Sequence, residues 1–185
     1  GLVEVSPRGV LRPLTNGGGK LTVSFAGQSA EAPLEVAGLS EGHRAALDKR
    51  AHFVQGCLSE RAAVAQTVRD SRAEVILHFA ANALVGESMA NPGKYFRNNV
   101  ASGLNLIEAA VEAGVRKFIF SSTCAVYGLP ERVPIDEDLP LRPINPYGES
   151  KLMFEKMLQW YRQIHGLEFV AFRYFNAAGA SENFG

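Results

Sequence analysis

Val75-Ile76-Leu77-His78-Phe79-Ala80 is an apolar run interrupted by a single histidine. Its length suits a strand, and the lack of alternation marks a strand covered on both faces. Such strands belong to parallel sheets, so the surrounding sequence should alternate strands with helices. Upstream, Ala51-His52-Phe53-Val54 predicts a short strand. Ser59 is placed to cap a helix through Asp70, with Val64 and Val68 on one face. Downstream, Asn91-Pro92 predicts the start of a long helix, because a proline's missing N–H costs nothing at the first helical position. Phe96, Val100, Leu104, Ile107 and Val111 form its apolar stripe, and Gly114 supplies a left-handed stop. Phe118-Ile119-Phe120 predicts the next strand, ending in the hydroxyl cluster Ser121-Ser122-Thr123. A proline-rich loop covers 129–146. Asn145-Pro146 then repeats the cap-and-proline start. The helix it opens carries Met153, Met157, Trp160, Tyr161 and Ile164 at helical spacing, which reads as a core face, and Gly166 ends it. Phe169-Val170-Ala171-Phe172 is the last strand. These units predict an α/β fold with a doubly wound parallel sheet and helices on both faces.

In sheets of this kind ligands gather outside the carboxyl ends of the strands. Phe79-Ala80-Ala81, Ser121-Ser122-Thr123 and Phe175-Asn176 all lie just past such ends. Tyr147 and Lys151 stand one helical turn apart, on one face of the helix that precedes the last strand. A phenol, with a pKa of about 10, is a poor base at neutral pH. A neighbouring ammonium stabilises the phenolate and lowers that pKa, so this spacing can make a tyrosine that trades a proton at pH 7. Taken alone, the Tyr-x-x-x-Lys pattern is too short to mean more than two polar residues on a wet helix. A turn that satisfies its own backbone accounts equally well for Ser121 to Thr123. Core packing accounts for Phe175, and a satisfied core histidine for His78. The shared placement at one edge is what argues for a site.

The totals exclude several classes of function. The 185 residues suit one domain. A hydrophobic share of 46% and a charged share of 21% are ordinary for a globular chain. Lys+Arg and Asp+Glu both number 19, so the net charge of zero offers no pull toward nucleic acid or an anionic membrane. No apolar run approaches the roughly 20 residues of a membrane span. Cys57 and Cys124 form no close-spaced motif, so no metal site is expected and the thiols read as free. A reduced, cytoplasmic setting is the default for such cysteines.

Residues 1–36 resist reading. Gly17-Gly18-Gly19 precedes Lys20, yet a phosphate loop would need Gly at Leu14 and Ser or Thr at Leu21. A dinucleotide loop fails at Thr22, which occupies the third glycine place, and no helix-forming run follows. The cluster reads as a turn before the alternating strand Leu21-Thr22-Val23-Ser24-Phe25.

From residue 39 to about 179 the chain resembles the extended short-chain dehydrogenases/reductases, and among them the UDP-glucose 4-epimerase family. The resemblance rests on Gly42-His43-Arg44, His78-Phe79-Ala80-Ala81, Val85-Gly86-Glu87-Ser88 and Asn98-Asn99-Val100. It continues through Ser121-Ser122-Thr123-Cys124-Ala125-Val126-Tyr127-Gly128, the stretch from Asn145 to Lys151, and Arg173-Tyr174-Phe175-Asn176. It implies a Rossmann-like domain over 39–185 that binds NAD, and inversion at C4 of a UDP-hexose through a 4-keto sugar. Tyr147, Lys151 and Thr123 would be catalytic. Phe79, Ala80, Ala81, Asn82, Ala83, Asn98, Ser121, Ser122, Tyr147, Lys151 and Phe175 would hold the cofactor. Thr123, Tyr147 and Asn176 would meet the nucleotide-sugar. A homodimer through the long helices is also implied.

The departures shape the expectation equally. The family's opening strand, glycine loop and helix are not legible before Leu39. Residues 1–38 therefore read as an atypical segment, either disordered or a degraded first βα unit. The ribose-binding Asp-Asn pair of the family is Ala37-Gly38 here, an adenine-side Asp is Cys57, and a frequent Lys is Ala83. The family's uridine-diphosphate-gripping domain would lie beyond Gly185, so the fold reads as incomplete at both ends and the epimerase as a truncated or altered form. Two other readings stay open. One is a nucleotide-sugar 4,6-dehydratase or another epimerase of the extended group, although Cys124-Ala125 replaces the Asp-Glu pair that dehydratases place after the threonine. The other is a non-catalytic remnant serving binding or oligomerisation.

Overall fold

The computed structural model describes residues 52–176, together with the backbone of four short strands nearer the N-terminus. Those strands form two antiparallel ladders. β1 (Val3–Val5) pairs with β2 (Leu11–Pro13), and β3 (Lys20–Phe25) pairs with β4 (Gln28–Pro33). The alternating run at Leu21 to Phe25 is thus a strand. The glycine cluster at 17–19 and the positions Ala37 and Gly38 lie outside the described residues.

The main sheet is parallel, in the order β5-β6-β7, with β5 at Val75–His78, β6 at Lys117–Thr123 and β7 at Glu168–Tyr174. Its register sets His78 beside Phe120 and Thr123 beside Tyr174, so the three carboxyl ends finish at one edge. Helix α1 (Arg61–Ser71) precedes β5. Between β5 and β6 the chain forms α2 (Val85–Ala90), α3 (Pro92–Tyr95), a π-helical stretch (Phe96–Ser102) and α4 (Gly103–Glu112). A 3₁₀ turn (Cys124–Tyr127) follows β6, and α5 (Pro146–His165) leads into β7.

Helix α4 serves two parts of the core. Its Ala109 and Ala110 meet Val64, Ala65 and Val68 of α1, with Val115. Its Ile107 joins Phe118 and Phe120 of β6 and Phe154 and Leu158 of α5. Burying each of the larger side chains contributes about 1.5–3 kcal/mol. A third cluster of Val126, Tyr127, Leu139 and Leu152 holds the turn after β6 against α5.

Both expected helix starts are capped as their residues demand. The Asn145 side chain accepts from Gly148 N at 2.8 Å, and that of Asn91 from Lys94 N at 3.3 Å. Gly114 and Gly166 adopt the left-handed backbone (φ 78° and 68°) that ends a helix. Elsewhere the structure corrects the expectation. The strand expected at 51–54 is reduced, among its described residues, to a single bridge at Phe53. Ser59 does not cap α1: its hydroxyl lies 3.0 Å from Cys57 Sγ, and Glu60 occupies the cap position without a side-chain bond. Strand β5 ends at His78, leaving Phe79 and Ala80 exposed, and Val75 to Leu77 are only half-buried.

The long helix is not uniformly α. The π stretch widens one turn, and Ser102 Oγ donates to Arg97 O, five residues back, at 3.1 Å. The residues turned inward are Tyr95, Asn99, Gly103 and Ile107, whereas Phe96, Val100, Leu104 and Val111 of the expected stripe are half-buried. On α5 the expected core residues Met153, Trp160 and Ile164 are exposed at 37%, 62% and 68%. Lys151, Leu152, Phe154, Glu155 and Leu158 are buried instead. The buried face holds two charged residues, which hydrophobic periodicity does not find.

Candidate active site

Lys151 sits on the buried face of α5 at 3% exposure. Its Nζ donates to the carbonyl of Ser121 at 2.7 Å and stands 4.8 Å from the centroid of the Phe120 ring. Burial lowers its pKa to about 8, since the charged form loses hydration there. Tyr147 lies one turn earlier, half-buried, with its ring edge-on to Tyr95 at 6.4 Å. Thr123 is buried at the end of β6, and its Oγ1 accepts from Ala125 N at 3.2 Å, capping the 3₁₀ turn. That turn lies against the start of α5. A Cβ on Gly148 would come 2.7 Å from Ala125 O, closer than any side chain tolerates. The absence of a side chain at Gly148 thus brings the turn after Thr123 against the residue after Tyr147.

An amide lattice fixes the neighbouring loop. Asn99 Oδ1 accepts from Asn82 N at 2.9 Å, while Asn99 Nδ2 donates to Asn82 O and to Ser150 Oγ, both at 3.0 Å. Ser150 Oγ donates in turn to the Tyr147 carbonyl at 2.7 Å. Asn98 Nδ2 donates to Asn99 Oδ1 at 2.9 Å. The loop after β5 is therefore tied to the first turn of α5. Tyr95 of α3 holds the far end of the same loop: its hydroxyl accepts from Leu84 N at 3.1 Å, and its one proton faces Leu84 O at 2.6 Å and Glu87 Oε2 at 2.8 Å.

Along the strand ends runs an open shelf. Phe79 and Phe175 are exposed at 51% and 57%. Ala80, Ala83, Asn98 and Asn176 are exposed as well, and Ala81, Asn82 and Ser121 are half-buried. Ser122 is buried, and its hydroxyl donates to Glu155. Beneath the shelf His78 is buried among Phe118, Phe120 and Phe154, and burial lowers its pKa to about 3. The ring is thus neutral at physiological pH. Beside the shelf, a cavity of about 440 Å³ is lined by Asn82, Asn98, Cys57, Ser59, Lys94 and Arg97 among others. Among the described residues no group of three or more His, Cys, Asp or Glu could hold a metal ion, and no helix is long and apolar enough to cross a membrane.

Several participants escaped the sequence reading. Asn99 holds the loop, although Asn98 beside it was the residue singled out. Glu155 and Arg173 form an ion pair with an oxygen–nitrogen distance of 2.8 Å, 18 residues apart in the chain. For Glu155 the available signal was its spacing: it follows Tyr147 and Lys151 at steps of four.

Residues 18–185 match the NAD dependent epimerase/dehydratase family. The chain belongs to that family. It is similar to the UDP-glucose 4-epimerase of Streptococcus mutans, 49% identical over 146 residues, which are 78% of this chain and 44% of the relative. The Lactobacillus helveticus UDP-glucose 4-epimerase is 46% identical over 145 residues, again 78% and 44%. Among solved structures, the Brucella ovis UDP-glucose 4-epimerase in complex with NAD superposes with a TM-score of 0.72 at 44% identity. That match covers 75% of this chain and 42% of the other. The Thermotoga maritima UDP-glucose 4-epimerase with UDP-glucose gives 0.73 at 32% identity, covering 78% and 48%. The chain therefore spans less than half the length of these relatives. The parallel sheet and its helices are those of the epimerase/dehydratase family, as the Rossmann-like reading expected.

Proposed function

We propose that this chain carries the proton-transfer site of an NAD-dependent UDP-hexose 4-epimerase. The observation that supports it most is the buried ammonium of Lys151, seated on the Ser121 carbonyl one turn from Tyr147. The residues fit the cofactor at its nicotinamide end. Small side chains at Ala80, Ala81 and Ala83 let a flat ring approach the strand ends. An ammonium has three donors, and one engages Ser121, leaving two for a ribose. Phe79 to Ala83, Asn98, Ser121, Ser122 and Phe175 complete that pocket in this reading. NAD, when bound, supplies reversible hydride exchange with C4 of the sugar. Tyr147 takes the proton of the 4-hydroxyl and returns it. Thr123 Oγ1 accepts from Ala125, so its own hydrogen is available to the reacting sugar oxygen. Asn176, two residues past the end of β7, meets the nucleotide-sugar.

The adenosine end fits less well, because Cys57 is exposed where the resemblance expects an acid. This favours a second reading, a family member that keeps the fold as a binding module. Titration of the full chain with NAD, followed by conversion of UDP-galactose to UDP-glucose, tests both. The epimerase reading expects saturable NAD binding and turnover that Tyr147→Phe lowers by about 10²–10⁴-fold. No binding at millimolar NAD overturns it in favour of the module. Residues 39–185 are the proposed NAD-binding unit, residues 1–38 an atypical segment, and a cytoplasmic setting accords with the free thiols Cys57 and Cys124. A homodimer through the long helices is proposed on the exposed line Met153, Trp160 and Ile164.

A further inference from the structure

Glu155 of α5 is 2% exposed, and it joins its helix to two strands. Its carboxylate accepts from Arg173 of β7, Nε to Oε1 at 3.2 Å and Nη2 to Oε2 at 2.8 Å, and from the hydroxyl of Ser122 on β6. Arg173 Nη1 donates to Tyr127 Oη at 2.9 Å, and its guanidinium carbon stands 5.1 Å from the centroid of the Tyr127 ring, at the end of the turn that Thr123 caps. Two successive residues of β6 are therefore tied to two residues of α5 one turn apart. Ser121 receives Lys151, and Ser122 gives to Glu155. This pattern holds the helix and the strand end in register at the level of the ammonium. Arg173 supplies the countercharge a buried carboxylate requires, and its planar fork reaches the carboxylate and the Tyr127 hydroxyl together.

We propose that Glu155 and Arg173, acting through Ser122 and Tyr127, are positioning residues that place the Lys151 ammonium and the Thr123 turn. The proposal rests on the proton-transfer reading of Tyr147 and Lys151. Among the titratable groups of the neighbouring elements, His78 of β5 is in electrostatic contact with Lys151; Tyr147 and Glu155 stand one turn before and after it on α5, and Glu155 is paired with Arg173 of β7. Of these, His78 is neutral. If the register loosens, water reaches Nζ and the lysine returns toward its ordinary pKa of 10.5.

The test is NMR titration of ¹³Cε-lysine in the full chain, with Lys151 assigned by its loss in Lys151→Met. Ser122→Ala removes one donor without changing any charge. Arg173→Lys keeps the charge and loses the fork. Ser71→Ala, which removes a 2.8 Å hydroxyl-to-carbonyl bond at the end of α1, controls for stability alone. The expected result is a Lys151 titration near 8 in the wild type, an upward shift of at least half a pH unit in both site variants, and no shift in Ser71→Ala. Site variants that melt earlier yet titrate like the wild type would reduce the cluster to a structural role and overturn the proposal. A wild-type Lys151 titrating at its ordinary value would overturn it too. The readout needs neither NAD nor sugar. A chain that turns nothing over but shows the shifts loses the epimerase reading and keeps the positioning; turnover without the shifts has the opposite meaning.

Discussion

At the scale of single residues, the site is held at a cost to the fold. Lys151 keeps its proton up to about pH 8 when folded and up to 10.5 when unfolded. Below pH 8 both states are charged, and the folded chain bears the whole burial cost, roughly 3 kcal/mol. Between 8 and 10.5 the unfolded chain binds more protons, so stability rises with pH. Lys151→Met should therefore resist urea better than the wild type at pH 7, and the gap should close as pH climbs through that window. His78 acts at the other end of the scale. Its folded pKa of about 3 lies below the ordinary 6.5, so the unfolded chain gains a proton first as pH falls. Stability should drop by up to about 1.4 kcal/mol per pH unit between 6.5 and 3. His78→Phe keeps an aromatic ring among Phe118, Phe120 and Phe154 and should flatten that slope in urea titrations at pH 7 and pH 5.

At the scale of elements, the start of α5 is the sensitive joint. Gly148→Ala would drive a methyl group into the Ala125 carbonyl, a backbone atom that cannot step aside. We expect a loss of about 1–3 kcal/mol by thermal melting, with turnover, where present, falling alongside because the Thr123 turn is displaced. The same joint illustrates what the sequence discloses. Asn91-Pro92, Asn145-Pro146, Gly114 and Gly166 were legible because capping is local chemistry between residues a few positions apart. The one-turn separation of Tyr147 and Lys151 on that helix was legible for the same reason. The bond from Asn99 to Ser150 spans 51 residues, and the one from Ser122 to Glu155 spans 33, so no local pattern announces either. The inward face of α5 was misread because it contains Lys151 and Glu155, whose burial depends on partners in β6 and β7. The extra residue of the π stretch was equally hidden, since it displaces Phe96, Val100 and Leu104 from a stripe drawn at ordinary helical spacing.

For the whole molecule, the exposed residues Met153, Trp160 and Ile164 lie on the side of α5 turned from the sheet. Trp160→Glu should leave the melting temperature of the monomer within a few degrees of the wild type, because the side chain contributes little to the core. In sedimentation equilibrium the wild type should behave as a dimer and this variant as a monomer; identical masses would remove the helices from the interface. Within the chain, the π stretch has a wider consequence. It splits one rod into two instruments: the leading half steadies the loop after β5 through Tyr95 and Asn99, and the trailing half serves the interior through Ile107 and Ala110. Loosening the turn at Ser102 would therefore be felt first by the loop that Asn99 holds, before the packing around Ile107.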